Sequence, residues 1–167
     1  MLRAFDGKSP EVAESAYVDP AATVIGDVRI GPEATVLPGA VIRADGGTAV
    51  LGERANVQDN ATIHADAMGE GVVLEDRAAV GHNAIVHNAT VGEQSLVGMH
   101  ATVLDNAVLE PRSMVAAKAL VSQETRVKTG TLVGGIPAEV LREGLDESYP
   151  LFYVADRYAQ HIDGMED

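Results

Sequence analysis

From Val18 onward an aliphatic residue returns every six positions, usually with a small residue four further on. The hexads VDPAAT, VIGDVR, IGPEAT and VLPGAV fill residues 18–41, and LGERAN and VQDNAT fill 51–62. VGEQSL, VGMHAT, VLDNAV, LEPRSM, VAAKAL, VSQETR and VKTGTL then run without a break over 91–132. Six is not a multiple of 3.6, and valine, isoleucine, threonine and glycine fill the run, so an amphipathic helix is excluded. An antiparallel barrel has no need of a fixed six-residue period. The period fits a parallel β-helix in which three short strands make one triangular coil, with each aliphatic side chain stacked inside the prism on the one a coil away. Aromatic residues make up only 4% of the chain against 46% hydrophobic residues, which suits thin layers of Val, Ala, Leu and Ile.

The register breaks three times. Ile42 to Leu51 is three residues too long, which predicts a lengthened loop there, Ile63 to Leu74 is five too long, and Val86 to Val91 is one too short. The 115 residues from Val18 to Val133, corrected for these breaks, give eighteen hexads, or about six coils. Past GGIPAEVLRE the period ends. Leu151, Val154, Tyr158 and Ile162 then fall on one helical stripe, with Pro150 suited to a first turn. The expected organisation is a repeat domain over 1–140, and a C-terminal segment over 141–167 whose helix, about 149–162, packs along the prism.

The breaks give the histidines meaning. With the prism faces named a, b and c in chain order, Val36, Val57, Val80 and Val97 open face a, and Ile42, Ile63, Val86 and Val103 open face b. His64 follows Ile63 and His87 follows Val86, so the two share one column in adjacent coils. Adjacent strands lie ~4.8 Å apart, which lets two imidazoles share one metal. His82 lies on face a, two residues after Val80, with its backbone up to about 16 Å from that of His87. It reaches the same metal most easily from a second copy, if face a of one prism packs on face b of the next. Repeated about a threefold axis, that contact closes a homotrimer. The same docking brings Asp59, below His82, towards Arg43, below His64. His100 and His161 are expected to be structural or exposed.

Other classes are excluded by composition. A formal charge of −13 disfavours nucleic acid and anionic membrane as partners. No run of eighteen apolar residues is present, so no spanning helix is expected. The chain has no cysteine, which excludes disulfides and thiolate ligands, and nothing in it suggests export, so a cytoplasmic protein is expected.

IRAD (42–45), NVQD (56–59), TIH (62–64), VGHNAIVHNATVG (80–92), LVGMHATVLDNAV (96–108) and LEPRS (109–113) together resemble the gamma-class carbonic anhydrases. The resemblance covers nearly the whole chain. It implies a left-handed β-helix and a homotrimer with metal sites between subunits, His64 and His87 coming from one chain and His82 from its neighbour. It implies zinc as cofactor, with Fe2+ or Co2+ as alternatives, and CO2 and bicarbonate as substrate and product. Arg43 and Asp59 look like the family's intersubunit ion pair, with Asp45 beside them, and Gln58 like the residue that hydrogen-bonds metal-bound water. Two departures stand out. Gly46 replaces the glutamate that follows the IRAD-like motif in well-known active members, and the loop ADAMGEG is short, leaving Asp66 and Glu70 as candidate proton acceptors. A weakly active or inactive metal-binding trimer of the same family is the first alternative, and a hexapeptide acyltransferase with one histidine as general base is the second.

Overall fold

In the computed structural model residues 1–162 are described, the His161 side chain excepted. The C-terminal end of the expected segment, 163–167, lies outside them. The hexads form strands of mostly two residues, each paired in parallel with the equivalent strand one coil away. Face a carries Tyr17–Val18, Thr35–Val36, Asn56–Val57, Ala79–Val80, Leu96–Val97, Met114–Val115 and Leu132–Gly134 in unbroken spatial order. Its far edge is closed by Glu139–Arg142, which turns back antiparallel on Leu132–Gly134 and spans residues 140 and 141.

The prism has about seven turns, one more than the period gave. Leu2–Arg3 pairs with Val24–Ile25 and Glu11–Val12 pairs with Arg29–Ile30. The segment ahead of Val18 therefore supplies faces b and c of an earlier coil, although it carries no complete hexad.

The interior follows from the repeat. Val24, Ile42, Ile63, Val86 and Val103 are fully buried, and so are the alanines at the small positions, among them Ala61, Ala84 and Ala101. A residue in left-handed conformation, such as Asn60, Asn83, His100 or Lys118, closes the corner after face a in four successive coils. Asn and His tolerate that region better than most side chains. His100 is thus an exposed turn residue, as expected of it.

The first break is not a loop. Val41–Leu51 is one strand that bends round the corner between faces b and c, pairing through Ala44 with Ala65 and through Ala49 with Val72. Thr23–Ile30 bends likewise and pairs with it. This joins faces b and c into one twelve-stranded sheet. The extra residues lengthen the strand because Gly46 and Gly47 lie against the loop that follows His64. A Cβ on Gly46 would stand 2.6 Å from the Ala67 amide nitrogen, so this backbone leaves no room for a side chain there.

The C-terminal helix begins later than expected, and residues beside the expected stripe are the ones fully buried. Pro150–Tyr153 is a 3-10 turn and Val154–His161 is the α-helix. The tighter turn advances the phase. Phe152 and Ala155 face inward, while Leu151 is 41% exposed. Phe152 packs with Met114 on face a, with Leu96 and Leu132 against them. Ion pairs from Asp156 to Arg54 and Arg77 hold the helix to the corner between faces c and a.

Candidate metal centre

Strand pairing puts His64 opposite His87 and Arg43 opposite His64. The two imidazole centroids are 4.8 Å apart and the rings are inclined at 70°. The coil spacing sets this separation, so the column expected from the sequence is present.

Each of the three histidines has one ring nitrogen on a carboxylate. His64 Nε2 lies 3.0 Å from Asp45 Oδ1. The other Asp45 oxygen accepts from Arg43. His87 Nδ1 lies 3.1 Å from Asp105 Oδ1. His82 Nδ1 lies 2.9 Å from Asp59 Oδ2. A carboxylate on one nitrogen fixes the tautomer and turns the lone pair of the other outward, which is how metal-binding imidazoles are commonly held. His87 Nε2 then faces Asp66 Oδ2 at 3.6 Å. His82 Nε2 lies 3.3 Å from the Tyr158 hydroxyl on the C-terminal helix.

The loop after His64 is tied to the same place. Asp66 N–H donates to Asn88 Oδ1, and Asn88 Nδ2 donates back to Asp66 Oδ1 at 2.6 Å and to Asp105 Oδ1 at 3.1 Å. Asn88 is buried, and it occupies the shortened turn in left-handed conformation. Gly69 lets the loop lie on it, since a Cβ there would stand 2.5 Å from the Asn88 Cβ. As a result, His64, Asp66 and His87 each offer one donor atom within 4.8 Å of the others.

Asp45, Asp66 and Asp105 are held ionised. The hydrogen bond with His64, and Arg43 behind it, keep Asp45 below the usual carboxylate range. Asn88 and the Met68 N–H do the same for Asp66. For Asp105 the upward push of burial is outweighed by Asn88, its own backbone and His87, and the net direction is down. Burial raises the Tyr158 hydroxyl, with Asp59 adding to it. Imidazole nitrogens backed by ionised carboxylates, with no thiolate in the chain, suit Zn2+, Fe2+ or Co2+.

His82 is not brought to His64 and His87 within the chain. Arg43 and Asp59 likewise have separate partners here, Asp45 and His82. Gln58 is buried on face a, donating to Asn56 Oδ1 at 3.0 Å, and Asn56 donates to Thr35 Oγ1 at 2.7 Å. Gln58 and His82 open onto a cleft of about 460 Å3 between the helix and face a, lined by Met99, Met114, Leu151 and Tyr158 among others. Glu70 is exposed and makes no hydrogen bond or ion pair among the described residues. The sequence reading missed Asn88, Asp105 and Tyr158. Asp105 was within reach of it, since the shortened coil puts Leu104 opposite His87 and Asp105 is the next residue.

No family model matches the chain. Among curated proteins, gamma carbonic anhydrase 1, mitochondrial, of Arabidopsis thaliana is 41% identical over 88% of this chain and 55% of its own length. Gamma carbonic anhydrase 2, mitochondrial, of the same plant is 39% identical over 97% of this chain and 59% of its own. The chain belongs to the gamma carbonic anhydrase family. It spans a little over half the length of these two relatives. A solved structure described as a hexapeptide transferase family protein from Anaplasma phagocytophilum is 35% identical, with TM-score 0.93 over 99% of this chain and 98% of that one. The prism is thus shared with a protein described as a transferase, while the two curated sequence relatives are named carbonic anhydrases. Among the described residues no helix is long and apolar enough to cross a membrane.

Proposed function

We propose that the chain is a zinc-dependent carbonic anhydrase that works as a homotrimer, with His64 and His87 of one copy and His82 of the next holding each metal. The observation that supports this most is the carboxylate behind each of the three imidazoles. Acyl transfer with one histidine as general base has no use for a stacked pair so oriented, which sets the transferase reading behind the metal one. When bound, zinc lowers the pKa of water from about 15.7 to ~7 and so supplies hydroxide near neutral pH. Fe2+ or Co2+ would fit the same donors.

Around that chemistry the chain's own residues bind, orient and move protons. Asp45, Asp59 and Asp105 fix the ligand tautomers. The Gln58 amide, anchored on Asn56, donates a hydrogen bond that orients the attacking oxygen. The apolar cleft beside Gln58 and His82 gives uncharged CO2 a dry approach, and bicarbonate leaves into solvent. Asp66 or Glu70 takes up the released proton and passes it to buffer. In the trimer Arg43 turns to Asp59 of the neighbouring copy and Asp45 stays beside them. Residues 1–140 serve as the platform and 141–162 as the clamp that carries Tyr158. The compartment expected from the sequence is the cytoplasm, whereas the names of the two plant relatives are mitochondrial.

A second reading, a metal-binding trimer with little turnover, is favoured by Gly46 and the short loop, which remove the glutamates of active relatives. CO2 hydration by zinc-loaded protein, followed by stopped flow, separates the two: turnover no faster than buffer supports the second. The interfacial site has its own test. His64→Ala and His82→Ala chains, neither of which can assemble all three histidines at a site alone, are unfolded, mixed equally and refolded. With random cyclic trimers about a quarter of the sites regain all three ligands and bind metal as tightly as the parent. No recovery in confirmed mixed trimers rejects the shared site. Recovery when His64→Ala is mixed with His87→Ala rejects the assignment of those two to one chain.

A further inference from the structure

We propose that Asp66 is a metal ligand of the unassembled subunit, holding the ion together with His64 and His87 until His82 of a neighbouring copy displaces it. This rests on the reading above, in which His82 completes the site from outside the chain. Within one chain His82 is committed elsewhere, to Asp59 and Tyr158. The third donor that the fold itself supplies is the Asp66 carboxylate.

The carboxylate is built for this. Oδ1 is already taken, accepting from Asn88 Nδ2 at 2.6 Å and from the Met68 N–H at 2.8 Å. Those two bonds, with Asp66 N–H on Asn88 Oδ1, fix the plane of the group and leave Oδ2 turned to His87. The 3.6 Å between Oδ2 and His87 Nε2 is long for a hydrogen bond. Two donors each about 2.1 Å from an ion at the tetrahedral angle stand roughly 3.4 Å apart, so this gap matches two edges of one coordination shell. The His64 donor lies within 4.8 Å of both, and closing on an ion takes side-chain movement of order one ångström. His87 Nδ1 stays on Asp105 throughout, so the ring presents the same nitrogen before and after assembly.

The consequence is an order of events. A subunit can load metal before it meets its partners, and trimer formation exchanges a carboxylate for an imidazole. The displaced Asp66 is left beside the ion, still tied to Asn88, in the position a proton acceptor needs.

The test uses the full chain and Co2+, whose visible absorption reports both binding and coordination number. Asp66→Asn is the informative change, because it keeps an oxygen to accept from Asn88 and replaces the other with a non-ligating amide. His82→Ala is expected to bind one Co2+ per chain more weakly than the parent. Loss of even an outer partner of a metal ligand costs about 10–100-fold in affinity, so adding Asp66→Asn to His82→Ala should cost about tenfold or more again. In the parent trimer Asp66→Asn should change Co2+ affinity little. Equal affinity of His82→Ala with and without Asp66→Asn overturns the proposal, as does a His82→Ala protein that binds no Co2+ although circular dichroism shows it folded. A large loss from Asp66→Asn in the parent overturns the exchange and makes Asp66 a permanent ligand. If His82→Ala binds as tightly as the parent, the interfacial reading fails instead.

Discussion

The coils from 91 to 133 and the coils from 42 to 91 share one cross-section and one core, yet the second group carries His64, His82 and His87, while the first adds Asp105 behind His87. In the regular group every turn is a six-residue unit, and the column that holds Arg43, His64 and His87 continues as Leu104 and Ser122. In the irregular group all three breaks fall at the same corner, between faces b and c. A regular turn spends its few residues on getting round that corner. An added stretch supplies Asp45 or the Asp66 loop, which folds back over the histidine column. The shortened turn places Asn88 where it grips that loop. The regular coils are therefore the scaffold, and the site is built from departures from them.

That contrast can be broken by substitutions chosen from the two groups. The largest effect on stability should come from the regular coils. Leu109 is fully buried, and Leu109→Ala should cost about 2–5 kcal/mol in denaturant unfolding while metal bound per folded chain stays the same. If metal affinity fell with it, scaffold and site would not be separable. In the irregular group Gly69→Ala drives a methyl into Asn88 and should cost about 1–3 kcal/mol, as overpacking does. Unlike Leu109→Ala it should also weaken metal binding, because Asn88 positions both Asp66 and Asp105. Unchanged affinity at measured loss of stability would mean that Asn88 holds the loop and not the site.

The smallest effect should come from the surface of the regular coils. Glu110 accepts from Arg126 at 2.8 Å, and this bond with the Thr129 N–H lowers its pKa. A carboxyl depressed in the folded state adds stability above its unfolded pKa, about 4.3 for glutamate, and loses it as pH falls through the folded value. Arg126→Ala should thus lower stability slightly at pH 7. The difference from the parent should disappear once the pH is well below 4. A difference that grew with acid would show that Arg126 acts through something other than Glu110. Metal affinity should not move in either condition.

The sequence alone determined the prism, its core and the column of His64 and His87. It could do so because stacking in a coil depends only on counting residues along the chain. The same counting placed Arg43 under His64 and set His82 on another face. Counting failed where the chain leaves the period. The strands Leu2–Arg3 and Glu11–Val12 carry no complete hexad, and the residues after Ile42 continue a strand that the period reads as a loop. A 3-10 first turn buried Phe152 against face a and left Leu151 at the rim of the cleft beside it. Only the tertiary structure decided which carboxylate stands behind which imidazole, and that Asn88 joins Asp66 to Asp105 while Tyr158 reaches His82 from 76 residues away. Those contacts cross turns and depend on corner conformation and side-chain rotamers, which a repeat of apolar residues leaves undetermined.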